Sequence, residues 1–293
     1  MEHVEGKTAF ITGGANGIGL GMAKAFSKAG MKVVIADIRQ DHIDQAMALF
    51  GNNKNVHAIR LDVTDRDAMG RAADEAEKVF GKVHLLCNNA GVMPLEADEP
   101  SFDECDWILG VNLGGAVNGF VTFVPRMKKH GEGGHIVNTT TLVVFVDPTH
   151  GHRMYITSKA AVRGLSEELR WTLAGHNIGV SLLAPGIVNT DLWDSFSARP
   201  AHLMSSQLRG LPPDAAKLGV DPDEVGEKVL KGILRNEFYI FTTPGFKEEV
   251  EEICAEIVEA IPAGETDPRL VPFEQLRRQP RATLKAKRKA ASQ

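Results

Sequence analysis

Short apolar runs alternate along most of the chain with longer stretches of helical periodicity. The runs are Thr8–Ile11, Met31–Asp37, Val56–Leu61, Val83–Cys87, His135–Thr139, Ile178–Ala184 and Phe238–Phe241. Each is too short for a helix and too continuous for a strand with one wet face, so they predict seven buried strands. Between them, apolar residues recur every three or four positions. Leu20–Ala29 carries Met22, Ala23, Ala25, Phe26 and Ala29, and Met154–Ala174 carries Ala160, Val162, Leu165, Leu169 and Leu173. Further helices are predicted over Asp41–Phe50, from Asp65 to about Phe80, and over Asp106–Lys129, Asp221–Asn236 and Lys247–Ile261. Strands separated by crossover-length helices form a parallel, doubly wound α/β sheet with helices on both faces. A closed eight-fold barrel also alternates, but it gives no reason for the glycine cluster after the first strand. There is no internal repeat.

Composition narrows the class. The chain has 293 residues, 43% of them apolar and 24% charged, as in a soluble globular protein. The N-terminus has no basic segment followed by an apolar core, and no long uninterrupted apolar run suggests a membrane span. Three isolated cysteines, Cys87, Cys105 and Cys254, point to reduced thiols and a cytoplasmic setting. The net charge of −5 is uneven: Leu276–Gln293 holds seven basic residues and no acidic one, leaving −12 on the rest. That divides the chain into a catalytic domain over 1–245, a helical extension over 246–275 and a basic, disordered tail over 276–293. An acidic body excludes nucleic acid as the main partner, and no membrane partner is expected.

The chemistry begins at Thr12-Gly13-Gly14-Ala15-Asn16-Gly17-Ile18-Gly19, set between the first strand and the first helix. Glycines there let the backbone approach a pyrophosphate, and the helix N-terminus turns N–H groups toward it. Eighteen residues after Gly19, the second strand ends in Asp37, placed to accept hydrogen bonds from an adenosine ribose. A carboxylate there repels a 2′-phosphate, so NAD is favoured over NADP, with Arg39 a partial offset. Tyr155 and Lys159 are four apart on a helix and share a face. A phenol ionises near pH 10, and a neighbouring ammonium favours the phenolate, making a base usable at neutral pH.

The set as a whole resembles the short-chain dehydrogenase/reductase family over about residues 4–245. The motifs are Thr12–Gly19, Asn88-Asn89-Ala90-Gly91, Asn112, Tyr155-Ile156-Thr157-Ser158-Lys159 and Pro185-Gly186-Ile187-Val188-Asn189-Thr190. The resemblance implies a Rossmann-type sheet with Tyr155 as acid/base and Lys159 as the partner that binds the nicotinamide ribose. Asn112 would interrupt the long helix and hold a relay water. For the cofactor it implies Gly13, Asn16, Gly17, Ile18, Gly19, Asp37, Ile38, Asp62, Val63, Asn89, Ala90, Gly91, Pro185, Gly186, Ile187 or Val188, and Thr190. One position departs from the pattern. The family's serine is replaced in Asn138-Thr139-Thr140-Thr141-Leu142, where Thr141 best fits and Thr140 is next; its hydroxyl can make the same hydrogen bond.

A narrower similarity, to bacterial benzylic-alcohol (Cα) dehydrogenases of lignin aryl-ether breakdown, is carried by Ala36–His42, Val121–Met127 and the extended C-terminus. The substrate side is assigned to Met93, Val143, Phe145, His152, Trp193 and Phe196, within an apolar wall made by Met93-Pro94, Leu142–Val146 and Leu192–Leu211, the last with Arg199, His202 and Arg209 as polar handles. His150 and His152 lack a third ligand at a recognisable spacing, so no metal is expected. These readings combine into an NAD-dependent alcohol dehydrogenase or ketone reductase acting on a bulky aryl or alicyclic substrate. The family's habit of pairing its long helices implies a homodimer or homotetramer. The alternatives are a catalytically silent NAD-binding regulator and an enzyme that dehydrates or epimerises with tightly held NAD.

Overall fold

The computed structural model describes residues 1, 3–96, 98–147, 151–204, 217–264 and 267–291. Strand β1 (Thr8–Thr12) is followed by helix α1 (Gly17–Lys28), β2 (Lys32–Asp37), α2 (Gln40–Phe50), β3 (Val56–Arg60) and α3 (Arg66–Phe80). The chain continues through β4 (Leu85–Asn88), α4 (Phe102–Leu109), a π-turn at Gly110–Gly114, α5 (Gly115–His130), β5 (Gly134–Thr139) and α6 (Arg153–Thr172). It ends with β6 (Ile178–Ala184), α7 (Pro222–Leu234), β7 (Tyr239–Phe241), α8 (Lys247–Glu259) and α9 (Val271–Ala291).

The seven strands form one parallel sheet in the order β3-β2-β1-β4-β5-β6-β7. Side chains on each strand alternate between two cores. Phe10, Val34 and Leu86 face α3, α5 and α6, where Met69, Phe123, Met127, Val162 and Leu169 are buried. Ile11, Val33, Ile35 and Cys87 face α1, α2 and α7, against Met22, Phe26, Ile43, Val225 and Val229. Both faces are covered, which is why the strands read as continuous apolar runs.

Two contacts fix how this frame closes. Helices α1 and α7 meet through glycines: a Cβ on Gly21 would stand 2.0 Å from the Pro222 carbonyl oxygen, and one on Gly226 2.2 Å from that of Gly21. Phe102–His130 runs 29 residues and is long and apolar enough by composition to cross a membrane. Its apolarity is used against the sheet, with Ile108, Phe123 and Met127 buried and the Phe123 ring 4.6 Å from that of Phe10. This helix begins at Phe102 rather than Asp106, because Ser101 and Glu104 form a reciprocal capping box.

The basic C-terminal stretch differs from the expected disordered tail. It lies within α9, where arginine, lysine, alanine and leucine all favour a helix. Strand order reverses at β1, whose neighbours β2 and β4 are reached by crossovers on opposite faces. The cleft therefore opens beyond the C-terminal ends of β1 and β4.

Candidate active site

The glycine loop is held by close backbone packing. Gly13 and Gly17 take positive φ, +61° and +51°, and a Cβ on either would stand 2.9 Å from Ala90 Cα or Thr190 Cγ2 respectively. A Cβ on Gly19 would fall 1.9 Å from the Gly13 carbonyl oxygen. Asn16 caps α1, its Oδ1 accepting from Gly17 N at 2.7 Å while its Nδ2 donates to Asp191 Oδ2 at 2.7 Å. The Asp37 carboxylate turns back to the loop, accepting from Ala15 N at 3.2 Å and Arg39 N at 3.1 Å. Arg39 is itself gripped by both oxygens of Asp41, at 3.1 and 2.6 Å, and the guanidinium holds that carboxyl down at about 2.

These residues line one end of a cleft of about 1140 Å³. Its wall includes Gly13, Asn16, Gly17, Ile18, Asp37 and Ile38, then Asp62, Val63, Asn89, Ala90 and Gly91, and finally Tyr155, Lys159, Pro185 and Thr190. Backbone N–H groups at a helix N-terminus, a carboxylate at one end and a phenol at the other fit a nicotinamide dinucleotide. Asn89 also fastens the sheet: its N and Nδ2 donate to Thr12 Oγ1 and to the Thr12 and Gly13 carbonyls. Gly186 and Val188 do not reach the cleft. Gly186 N donates to Thr242 Oγ1 at 3.1 Å, and Val188 is buried in the core beside Val220, because this loop pairs there as a short parallel bridge.

At the other end, Tyr155 and Lys159 project from the first turns of α6. Both are buried, and burial pushes the Tyr155 phenol up to about 12 and the Lys159 ammonium down to about 8. The depression of the phenol expected from Lys159 is therefore outweighed by desolvation in the chain alone. Thr141 hydrogen-bonds the Tyr155 side chain and pulls its pKa the other way. Thr140 also lines the cleft, but its hydroxyl is already committed, donating to the Lys159 carbonyl at 2.7 Å. Lys159 Nζ donates to the Thr139 carbonyl at 3.0 Å and lies 5.9 Å from the Tyr155 ring centre.

Asn112 sits in the π-turn beside this pair. A Cβ on Gly91 would stand 3.2 Å from both Asn112 Oδ1 and Lys159 Nζ. The Asn112 side chain is committed: Oδ1 accepts from Val92 N at 2.8 Å, and Nδ2 donates to Val92 O and Ser158 Oγ at 3.0 Å. Both ends of its amide brace the turn.

The substrate-side residues largely miss the cleft. Phe145 packs instead against Tyr239 and Phe241, with the Arg163 guanidinium 4.3 Å from its ring centre, because an aromatic cluster on β7 captures it. Val143 precedes it in the same 3₁₀ turn, and Val143, Met93, Trp193 and Phe196 are not among the residues that line the cleft. Phe196 lies 5.3 Å from the Arg199 guanidinium. His152 is buried, its ring 6.2 Å from that of Tyr155 and hydrogen-bonded to the Pro94 carbonyl; burial lowers its pKa. His150 and the far part of the expected apolar wall, 205–211, lie outside the described residues.

Residues the sequence reading passed over take their place. Asp103, Asp106, Trp107 and Val111 line the cleft from α4 and the π-turn, beside Leu192, Ser195, Pro200 and His202 of the expected 192–211 wall. The 103, 106, 107 spacing was the available signal for a helix face. Ser195 Oγ accepts from Met93 N at 2.7 Å, so two hydrogen bonds, this one and Asn16 to Asp191, draw the loop over the cleft. Glu96 was also missed. Its buried Oε1 accepts from Met154 N at 2.8 Å and from Tyr155 N at 3.3 Å, capping the helix that carries the phenol.

The fold and this cleft define a dinucleotide-dependent oxidoreductase. Residues 7–201 match the short chain dehydrogenase family, and the chain belongs to it. The chain is 39% identical to a C alpha-dehydrogenase of Sphingobium sp. (strain NBRC 103272 / SYK-6) over 279 residues, 92% of this chain and 90% of that one. It resembles the apo form of LigO from Sphingobium sp. strain SYK-6 with a TM-score of 0.78 and 41% identity, covering 95% of this chain and 97% of that one. A short chain dehydrogenase/reductase from Burkholderia phymatum in complex with NAD matches with a TM-score of 0.82 and 31% identity, covering 91% of this chain and all of that one.

Proposed function

We propose that the protein interconverts a benzylic secondary alcohol and the corresponding aryl ketone with NAD as cofactor. The observation that carries this reading is the buried Tyr155 phenol in the cleft wall with the Lys159 ammonium 5.9 Å from its ring centre, and with Thr141 as the neighbour that pulls the phenol's pKa down. A substrate hydroxyl entering there meets a hydrogen-bonding partner in Thr141 and a proton acceptor in Tyr155. In the oxidative direction Tyr155 takes the hydroxyl proton as the carbinol C–H bond breaks; in reduction it returns that proton to the carbonyl oxygen. The nicotinamide, when bound, supplies the hydride acceptor or donor and, when oxidised, a positive charge. Gly13, Asn16, Gly17 and Ile18 would hold its pyrophosphate, Asp37 the adenosine ribose, and Lys159 and Thr190 the nicotinamide end. Lys159 at about 8 is still mostly charged at neutral pH and favours the phenolate that Tyr155 must become.

NAD over NADP is supported by Asp37 in the cleft wall and by the grip of Asp41 on Arg39, a cation of the same wall. The aryl assignment is supported by Trp107, Val111, Leu192 and Pro200 in the wall. The test follows reduced-nicotinamide absorbance with NAD, then NADP, across benzylic, alicyclic and steroid-like alcohols. NAD-linked turnover of a benzylic alcohol is expected. Tyr155→Phe should abolish it and still bind NADH by fluorescence titration; a variant that keeps turning over sinks the mechanism.

A further inference from the structure

Helices α8 and α9 stand apart from the body. No residue of α8 is buried, and none of the described side chains of α9 is. Among the described residues neither helix lies along another element, and α8 is tied to the body by Glu249 Oε1, which accepts from Asp147 N at 3.0 Å. Ile257, Val258 and Ile261 at the end of α8 are more than half exposed, as are Leu270, Phe273 and Leu276 around the start of α9. Helices as short as α8 are marginal in water without a packed face, so an apolar row this open needs a surface to cover it.

The charges say what that surface is. Six carboxylates ride on α8 (Glu248, Glu249, Glu251, Glu252, Glu256 and Glu259) against Lys247 alone. Seven basic residues ride on α9 against Glu274 alone, and that carboxylate already pairs with Arg277 and Arg278. One chain thus carries two complementary helices that do not lie along each other. A second copy of the chain satisfies both at once: by a two-fold axis, each acidic helix meets the partner's basic one.

We propose that residues 247–291 form an arm that clasps a second copy of this chain, α8 of each protomer lying against α9 of the other. The apolar rows supply the buried core of the contact and the charges supply its register and partner choice. This surface lies outside the cleft and does not depend on the activity proposed above.

The test uses two full-length variants with different tags. One carries Glu251→Lys, Glu252→Lys and Glu256→Lys; the other carries Arg277→Glu, Arg278→Glu and Arg281→Glu. Within a like pair of either variant, both arm contacts lose their opposite charges at the substituted positions, lysine facing arginine in one and glutamate facing glutamate in the other. In the mixed pair one contact has the wild-type charges and the other sets the new lysines against the new glutamates. After mixing at low salt, native mass spectrometry should find mixed pairs at least about tenfold above their statistical share, a preference of about 1.4 kcal/mol. High salt should erase it. The variants also check one another's folding, since only folded arms can be rescued by mixing. Mixed and like pairs in statistical proportion, or a wild-type chain that light scattering finds monomeric, would overturn the proposal.

Discussion

Burial raises the Tyr155 pKa and lowers that of Lys159, and the second shift has a measurable sign. Burial lowers Lys159 to about 8, against 10.5 for a solvated lysine, so between those values the unfolded chain binds more protons than the folded one. The buried ammonium destabilises the fold fully below pH 8, and this cost fades to nothing as pH rises toward 10.5. Lys159→Met should therefore melt higher than wild type at pH 7, with the gap narrowing by pH 10, while turnover is lost. A constant or widening gap in paired thermal melts would contradict the burial argument. Glu96 acts one step back from the chemistry, through the N–H groups of Met154 and Tyr155. Glu96→Ala should lower kcat about tenfold or more by letting that first turn shift, with NADH affinity unchanged. Glu96→Gln keeps an accepting oxygen and should retain most of the rate. Tyr155, Lys159 and Asp37 were legible in the sequence because spacing on a helix or at a strand end fixes where they point. Glu96 was not, since a cap reaching back from 58 residues upstream leaves no periodic trace.

At the scale of elements, the strands and helices were legible almost to the residue because each strand is buried on both faces. The departures have local causes. The capping box at Ser101 started α4 four residues early, and the aromatic cluster of Tyr239 and Phe241 drew Phe145 away from the cleft. Neither the Asn16–Asp191 nor the Met93–Ser195 hydrogen bond could be read from the sequence, since each joins loops more than a hundred residues apart. The α1–α7 contact shows what such long-range pairs demand. Gly21 and Gly226 let two helix backbones touch, and any side chain there must push them apart. Gly21→Ala should destabilise the protein by about 3 kcal/mol or more despite its better helix propensity, read as a lowered denaturation midpoint. Gly70→Ala, in α3 with nothing within 4 Å of the added Cβ, should be neutral or slightly stabilising under the same conditions.

At the scale of the molecule, the acidic body, the glycine-loop end of the cleft and the two-sided sheet follow from composition and periodicity, whereas the order of the strands follows from chirality and crossover rules. That order has a consequence for how the chain is made. β1 ends up between β2 and β4, but 73 residues of chain separate its last residue, Thr12, from Leu85 at the start of β4. On a ribosome adding ~5–20 residues per second, roughly 4 to 15 s pass between the two. Throughout that interval this fully buried strand is an edge, with β2 on one side and bare N–H and C=O groups on the other. The strand that anchors the finished cleft is, while the chain is being made, an adhesive edge.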